Sequence, residues 1–302
     1  MIPFARVLNY GNVAPHEGFK GTFGYVTPDP GGYVVEAQNR PSCTSYENKI
    51  YLIGGALTSS GSSGKLVEYD VLTNEYKLIN EQPNSTYSGI PCYVGGYVYI
   101  IYFPTFNGSP RLRRVNVSTG VNEELGACPY AYWCTGLITN SSGTALYTVN
   151  RNNYRLQRYD IGSATWDIPG TANFGTYTSD CNGLMMGSNG YIYMLTERTF
   201  VRTDPYGSAV VQLTPAPAHA PFSGFYSSLF EVEGYIYAYS YSILQRYHIS
   251  TNTWEFVSDG TPVVGALTTN AVGCFNTVTN MEYLFYAAVG SGAKNTKVGI
   301  IR

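Results

Sequence analysis

Short apolar runs bounded by glycine, asparagine or serine recur along the whole chain, and one of them returns at regular intervals. In this run tyrosine alternates with aliphatic residues, as in Gly96–Ile100 (GYVYI) and Gly234–Ala238 (GYIYA). Alternation with a period of two residues predicts a β-strand. Six copies, aligned on one aromatic residue, lie 44 to 48 residues apart: Tyr51, Tyr99, Tyr147, Tyr193, Tyr237 and Phe285. The chain is therefore predicted to contain six repeats of one structural unit.

A second element follows the aromatic strand in the first five repeats and has the pattern of a β-hairpin. It reads LVEYDVLTNEY over Leu66–Tyr76 and LQRYDIGSATW over Leu156–Trp166, with a polar turn between two strands. In four repeats an Asp or Asn ends the first of these strands: Asp70, Asn116, Asp160 and Asp204. A side chain of this type can accept hydrogen bonds from the turn backbone. We expect these residues to stabilise turns rather than to bind a ligand.

A third element, rich in small residues, precedes each aromatic strand, so that one repeat holds four strands. A four-stranded unit of roughly 40–50 residues that recurs several times is typical of a β-propeller blade. The blades are predicted to occupy residues 21–302, and residues 1–20 lie outside the repeat. The last repeat ends on its third strand, so an N-terminal strand is needed to avoid an open sheet edge. The spacing favours Thr22–Val26, and Tyr33–Glu36 is the other candidate.

The repeat resembles that of kelch-type β-propellers. The resemblance rests on the blade length, the glycine-led aromatic strand and the Tyr-Asp-x-x-Thr/Ser-x-x-Tyr/Trp hairpin, clearest at Tyr69–Tyr76 and Tyr159–Trp166. It covers residues 25–302, but the kelch glycine pair after the second strand is present only at Gly54-Gly55. It implies an all-β, six-bladed, kelch-like β-propeller of four-stranded blades whose ring is closed by an N-terminal strand. Such a fold does not by itself imply a function.

Composition limits the classes of function. The chain has 18 Lys plus Arg against 20 Asp plus Glu, so there is no basic excess to neutralise nucleic-acid phosphates. No apolar run reaches the ~18 residues of a membrane span, and the first residues lack the pattern of a secretion signal. Only three histidines occur, His16, His219 and His248, and none accompanies a nucleophile motif. We expect no enzyme activity, no cofactor, no metal, no nucleic acid and no membrane insertion.

Five of the six cysteines lie in the small-residue strands: Cys43, Cys92, Cys134, Cys181 and Cys274. These strands are expected to be the innermost ones, where a thiol behaves as a small buried apolar group. A ring of metal ligands is the alternative, although the C-x-x-C spacing of most thiolate sites is missing. Cys128 precedes Cys134 by six residues, and a disulfide between the two is a further alternative.

Arginine occupies one register position in four of the hairpins, two residues before the residue that begins the turn: Arg114, Arg158, Arg202 and Arg246. Glu68 takes this position in the first hairpin. We expect an inter-blade register, in which each guanidinium group bonds to carbonyl groups and turn acids of the neighbouring sheet. The alternative is a basic ring that binds carboxylated or sulfated sugars.

Aromatic residues outside the predicted strands are the candidate contacts for a protein partner or a glycan: Tyr87, Phe103, Phe106, Tyr130, Tyr132, Trp133, Tyr154, Tyr206 and Phe225. The N-terminal arm, residues 1–20, supplies the candidate anchor residues Phe4, Val7, Leu8 and Tyr10. Its opening, IPFARVLNYGN, is similar to the starts of some structural proteins of tailed bacteriophages.

This similarity implies a non-enzymatic structural or interaction protein of a phage virion, associated with the capsid or the tail. In that hypothesis the arm attaches to virion proteins and the propeller is displayed to bind a protein or a host-surface glycan. The alternatives are a free lectin-like carbohydrate-binding propeller and a galactose oxidase-like enzyme. Outside a virion we expect a cytoplasmic location, since no signal peptide is evident.

Overall fold

The computed structural model describes residues 23–26, 42–53, 56–58, 61–62, 64–81, 89–104, 109–129, 136–150, 154–174, 181–196, 199–217, 228–240, 243–259, 272–285 and 298–301. The regular structure in these segments consists of β-strands. In the first half of the chain they are β1 Phe23–Val26, β2 Ser42–Tyr46, β3 Lys49–Ile53, β4 Ala56–Thr58, β5 Gly61–Ser62, β6 Lys65–Asp70, β7 Glu75–Glu81, β8 Ile90–Val94, β9 Tyr97–Tyr102, β10 Arg111–Asn116, β11 Asn122–Ala127, β12 Ile138–Thr139 and β13 Ala145–Val149. In the second half they are β14 Leu156–Asp160, β15 Thr165–Asp167, β16 Cys181–Met186, β17 Ile192–Thr196, β18 Phe200–Thr203, β19 Val210–Gln212, β20 Ser228–Val232, β21 Tyr235–Ser240, β22 Ile243–His248, β23 Thr253–Asp259, β24 Val272–Asn276, β25 Met281–Phe285 and β26 Val298–Ile301.

Five blades are each built from one continuous stretch of chain, and in each the strands follow their chain order from one edge to the other. Their orders are β2-β3-β6-β7, β8-β9-β10-β11, β12-β13-β14-β15, β16-β17-β18-β19 and β20-β21-β22-β23. All neighbouring strands are antiparallel, and β4 with β5 forms a small separate ribbon. The protein is therefore an all-β propeller of four-stranded antiparallel blades. The fold class and the blade unit predicted from the repeat are confirmed.

A further four-stranded sheet combines the two ends of the described chain. Its order is β1-β26-β25-β24, and β1 pairs antiparallel with β26 from Phe23 opposite Ile301 to Val26 opposite Val298. The pairing strand thus lies within Thr22–Val26, the segment that the spacing favours. The other candidate, Tyr33–Glu36, lies outside the described residues.

Each four-stranded sheet uses both faces for packing, because successive residues of a strand point to opposite sides. In the first blade, Tyr51 and Leu66 pack on Ile100 of the second blade. Ile50 and Leu52 of the same blade point the other way, into a cluster with residues of β24 and β25. Four further clusters join the second blade to the third, the third to the fourth, the fourth to the fifth, and the fifth to the β1-containing sheet. Most of the apolar core therefore lies between sheets.

The turns between third and fourth strands are capped as the sequence predicts. Asp70 Oδ1 accepts a hydrogen bond from Leu72 N at 2.8 Å, and Asn116 Oδ1 accepts one from Ser118 N at 3.0 Å. Asp160 and Asp204 accept the corresponding bonds from Ser163 N and Tyr206 N, both at 2.8 Å. The turn-stabilising role of these four residues is confirmed.

The final residue of these turns adopts a left-handed backbone conformation. In two blades it is an asparagine, Asn74 with φ 61° and Asn252 with φ 56°, whose Oδ1 also accepts the hydroxyl proton of a buried tyrosine. The third blade has Ala164 with φ 55° at this position. This conformation is sterically unfavourable for a residue with a Cβ, and alanine has no polar side chain whose hydrogen bonds could offset that cost. Ala164 also offers no side-chain acceptor to Tyr159, the tyrosine of that blade.

Ala164→Asn should therefore raise the free energy of unfolding by about 1–2 kcal/mol, since it relieves the backbone and provides an acceptor for Tyr159. Ala164→Gly, the control, should give only the backbone part, about 1 kcal/mol or less. Urea denaturation monitored by tyrosine fluorescence measures both variants. A destabilised Ala164→Asn variant would show that the third turn does not share the geometry of its neighbours.

Removal of β1 should destabilise the protein strongly, because β26 would become an exposed sheet edge. We expect a variant lacking residues 1–26 to unfold at least roughly 5–10 °C below the full chain, and to aggregate. The matched control lacks residues 1–20 and keeps β1, and it should unfold near the temperature of the full chain. Equal melting temperatures for the two truncations, measured by calorimetry, would contradict a stabilising role for β1.

Candidate functional site

The two ends of every blade carry different connections. In the second blade the turns at Gly95–Gly96 and at Val117–Gly120 lie at one end of the sheet, because they join adjacent antiparallel strands there. We call this the hairpin end. The connection from β9 to β10 and the one that leaves β11 lie at the opposite end, which we call the loop end.

Most of the predicted contact residues fall outside the described part of the chain. These are the aromatic residues Tyr87, Phe106, Tyr130, Tyr132, Trp133 and Phe225, and the anchor residues Phe4, Val7, Leu8 and Tyr10. The described candidates are Phe103, Tyr154 and Tyr206.

These three residues do not form one site. Phe103 is only 5% exposed, so it is a buried residue and not a surface contact. Tyr154 is half-buried, packs against the cluster between the third and fourth blades, and accepts a hydrogen bond from Phe174 N at 2.8 Å. Both lie at the loop end. Tyr206 is 72% exposed in the turn of the fourth blade, at the hairpin end.

Large apolar side chains are exposed mainly at the hairpin end. Among the described residues they are Tyr46, Leu72, Val121, Tyr191, Tyr206, Val211 and Phe256. All but Val211 and Phe256 lie in or beside the hairpin-end turns, and those two lie on the outermost strands β19 and β23. The hairpin end and the outer strands are therefore the described surfaces that offer contacts to a partner.

The inter-blade register predicted that each arginine bonds to the neighbouring sheet. The ion pairs that the structure describes for these arginines lie within one blade instead, so the prediction is wrong for them. Arg114 lies opposite Glu123 of its own blade, with 2.7 Å between Nη2 and Oε2. Arg158 pairs with Asp167, and Arg246 with Glu255, again across the third and fourth strands of one blade. The acid follows the arginine by nine residues because the hairpin turn brings these positions opposite each other. These ion pairs stabilise blades internally.

In the second and fifth blades each arginine also contacts two tyrosines, one through its ring and one through its hydroxyl group. The guanidinium groups of Arg114 and Arg246 lie 4.7 Å and 4.4 Å from the ring centroids of Tyr97 and Tyr235. Each also donates a long hydrogen bond of 3.4 Å to a tyrosine hydroxyl on the second strand. These hydroxyl groups and then the carboxylates raise the pKa of both arginines. Both arginines stay protonated, and a carboxylate of the same blade balances the charge of each. Their charges are therefore already paired, which argues against a basic ring for acidic sugars.

The polar contacts between blades involve the turns instead. Asn80 at the end of β7 donates to the carbonyl of Gly120 in the next blade at 2.7 Å. Thr214 N, beyond β19, donates to Asn252 Oδ1 of the fifth blade at 2.9 Å. The outer strand of one blade thus binds the hairpin-end turn of the next, which fixes the positions of the exposed residues there.

The fourth blade breaks the arginine pattern. Arg202 in β18 lies opposite Val211 of β19, where the other blades place Glu123, Asp167 or Glu255. Its guanidinium group lies 4.6 Å from the ring centroid of Tyr191. Within the part of the chain that the structure describes, Arg202 forms neither a hydrogen bond nor an ion pair, and its Nε is buried. Arg202, Tyr191 and Val211 are therefore the strongest described candidates for a binding site.

Four cysteines whose side chains the structure describes are thiols rather than halves of disulfides: Cys43, Cys92, Cys128 and Cys274. The disulfide considered for Cys128 and Cys134 stays a prediction, because Cys134 lies outside the described residues. Burial raises the pKa of Cys92 to about 12, and burial together with a hydrogen bond to Cys274 raises that of Cys43. No group of three or more His, Cys, Asp or Glu side chains able to hold a metal ion occurs among the described residues.

The raised pKa of Cys43 and Cys92 should make both thiols slow to react. The reactive thiolate is scarce at about pH 8 when the folded-state pKa lies far above this value, and it becomes more abundant as the pH rises. We expect iodoacetamide to alkylate both residues at least ~100-fold more slowly in the folded protein than in urea. Peptide mass spectrometry gives the rate for each cysteine. Equal rates in both conditions would show that these strands are accessible.

No protein-family model matches the chain, and no curated protein matches it either. The likeness to kelch repeats and to phage structural proteins therefore rests on the residue patterns described above. Within the described segments there is also no helix long and apolar enough to cross a membrane.

Proposed function

We propose that this protein is a non-enzymatic interaction module whose propeller is displayed to bind a protein or a glycan. The observation that carries the proposal is the set of exposed apolar side chains at the hairpin end, supported by inter-blade hydrogen bonds such as those of Thr214 and Asn252. A surface that is already rigid loses little conformational entropy when it binds. Exposed aromatic groups such as Tyr191 and Tyr206 are the side chains that contribute most to binding in protein interfaces.

We infer further that the β1-containing sheet is a sixth blade and closes one ring. Support comes from contacts of this sheet with the first blade. Asn276 Nδ2 donates to Ser45 Oγ at 3.0 Å, and Cys43 Sγ donates to the carbonyl of Gly273 at 3.3 Å. On its other face, Phe275 and Phe230 of the fifth blade stack at 4.8 Å between ring centroids.

The proposed setting is a phage virion, to which residues 1–20 attach the propeller. This part rests on the sequence, namely the apolar arm with Phe4, Val7, Leu8 and Tyr10 and its likeness to the starts of tailed-phage structural proteins. A second candidate function is a free lectin-like propeller. It is favoured by Tyr206, whose exposed ring is held by a capped turn and is available to stack on a sugar.

An affinity pull-down from the source lysate distinguishes these functions, with the full chain and the variant lacking residues 1–20 as baits. We expect only the full chain to recover capsid or tail proteins, because the arm is the proposed anchor. The truncated chain keeps β1, so a loss of recovery reports on the arm and not on unfolding. If neither bait recovers a large assembly, the virion function is wrong. A glycan array with the full chain and with Tyr206→Ala then tests the lectin function.

A further inference from the structure

Arg202 occupies a strand position whose charged side chain forms an ion pair within its own blade in the other four continuous blades. In the second, third and fifth blades the equivalent arginine faces a carboxylate on the outer strand, and in the fourth blade it faces Val211. In the first blade the register is reversed, since Glu68 takes the arginine position and its carboxylate pairs with Lys49 at 3.1 Å. Among the described blades, charge at this position is balanced within the blade except in the fourth.

The tyrosine hydroxyl that accepts a hydrogen bond from the arginine in other blades has a different partner in the fourth blade. Tyr99 and Tyr237 accept a hydrogen bond from the arginines of their blades. The hydroxyl of the equivalent Tyr193 instead accepts one from Asn189 Nδ2 at 2.8 Å. The nearest acid along the strand is Asp204, and its Oδ1 is engaged by the backbone N–H groups of Tyr206 and Ser208. Among the described residues, Arg202 therefore keeps the tyrosine stack seen for Arg114 and Arg246 but has neither of their oxygen acceptors.

A carboxylate is the ligand that fits this arrangement. The guanidinium group presents planar, paired N–H donors that match a carboxylate, and the pairing is strongest where water is partly excluded. Stacking on Tyr191 restricts the orientation of Arg202, so little further ordering is needed when it binds. The sister blades show where the carboxylate would lie, because Glu123, Asp167 and Glu255 occupy the matching place over the outer strand.

The surroundings favour an acidic protein segment over an acidic sugar. A sugar ring binds best to an open aromatic face, and Arg202 covers one face of the Tyr191 ring. The neighbouring exposed side chain is the aliphatic Val211, 44% exposed, which suits an apolar side chain next to the acid. Val211 also lies on β19, which is the edge strand of its sheet among the described residues, and an extended chain can pair with an edge strand.

We propose that Arg202, Tyr191 and Val211 form a docking point for an Asp or Glu side chain in an extended acidic segment of a partner protein. This inference rests on the proposed interaction function, which it narrows to one surface and one ligand chemistry. The docking point lies on the outer strands near the hairpin end of the fourth blade.

A titration with a hexaglutamate peptide tests the proposal, with the Nε–Hε signals of the arginines followed by NMR. The signal of Arg202 should shift on addition of hexaglutamate and not of hexaglutamine, and higher salt should weaken the binding.

Val211→Glu supplies the carboxylate that the other blades already have, so the affinity for hexaglutamate should fall at least about tenfold. The matched control is Gln212→Glu, which adds the same charge to the adjacent residue on the opposite face of the strand, and it should bind within about twofold of the original.

A gain of binding provides a second test. Glu255→Val removes the carboxylate that pairs with Arg246 and places a valine opposite it, as in the fourth blade, while the Tyr237 hydroxyl remains as an acceptor. The Arg246 signal, which hexaglutamate should leave unchanged in the original protein, should then shift as well. This variant tests the rule on a different blade, so it does not depend on how Val211→Glu folds.

Three outcomes would overturn the proposal, and a fourth would support the docking point while overturning the virion setting. If hexaglutamate shifts no arginine signal, Arg202 is not a carboxylate site. If glucuronate or sialic acid shifts Arg202 and hexaglutamate does not, the ligand is a sugar acid. If the pull-down recovers a partner equally with the original protein and with Val211→Glu, the interaction function stands and this docking point is wrong. If no bait recovers a partner but hexaglutamate binds at Arg202, the site is real and the proposed virion setting fails.

Discussion

Every sheet in this propeller has to bury both of its faces, and the rest of the structure depends on that requirement. In the first blade one face packs Tyr51 and Leu66 against the second blade, and the other packs Ile50 and Leu52 against β24 and β25. Strands buried on both sides have little room for charge. This explains why only 13% of the residues are charged and why most of the described ion pairs join third and fourth strands. The exception among the described residues is Lys49, which pairs from the second strand of the first blade with Glu68 and Asp70.

The same requirement determines how much could be predicted from the sequence. Because both faces are apolar, strands appear as short tyrosine-rich runs, and the spacing of these runs predicts the blade unit. Turn capping was equally local, since Asp70 acts on residues two and three positions later. Even the segment that pairs with β26 followed from spacing. The blade unit and the turn caps depend on neighbours in the chain, which a sequence displays directly, whereas the β1 segment followed from the repeat spacing alone.

Features that depend on distant neighbours were predicted less well. Strand alternation shows which face carries Arg114, but not whether its partner lies in the next strand or in the next sheet. A usable signal was present, because Glu123, Asp167 and Glu255 each follow their arginine by nine residues across a hairpin. The sequence pattern predicts Phe103 as a loop residue, yet it continues the alternation of the buried residues Tyr99 and Ile101. The importance of Val211 emerges only when the blades are compared in register.

The pairing of β1 with β26 has a consequence for the order of folding. Blades made from continuous chain can form as soon as their own four strands have been synthesised, through contacts of short sequence range. The sheet that contains β1 cannot, because its other three strands are synthesised after all the strands of the five continuous blades. During synthesis β1 is left without its partner strand, and the growing chain carries an incomplete edge. Assembly of that sheet must therefore be a late step, and any factor that shields β1 on the ribosome would favour correct folding.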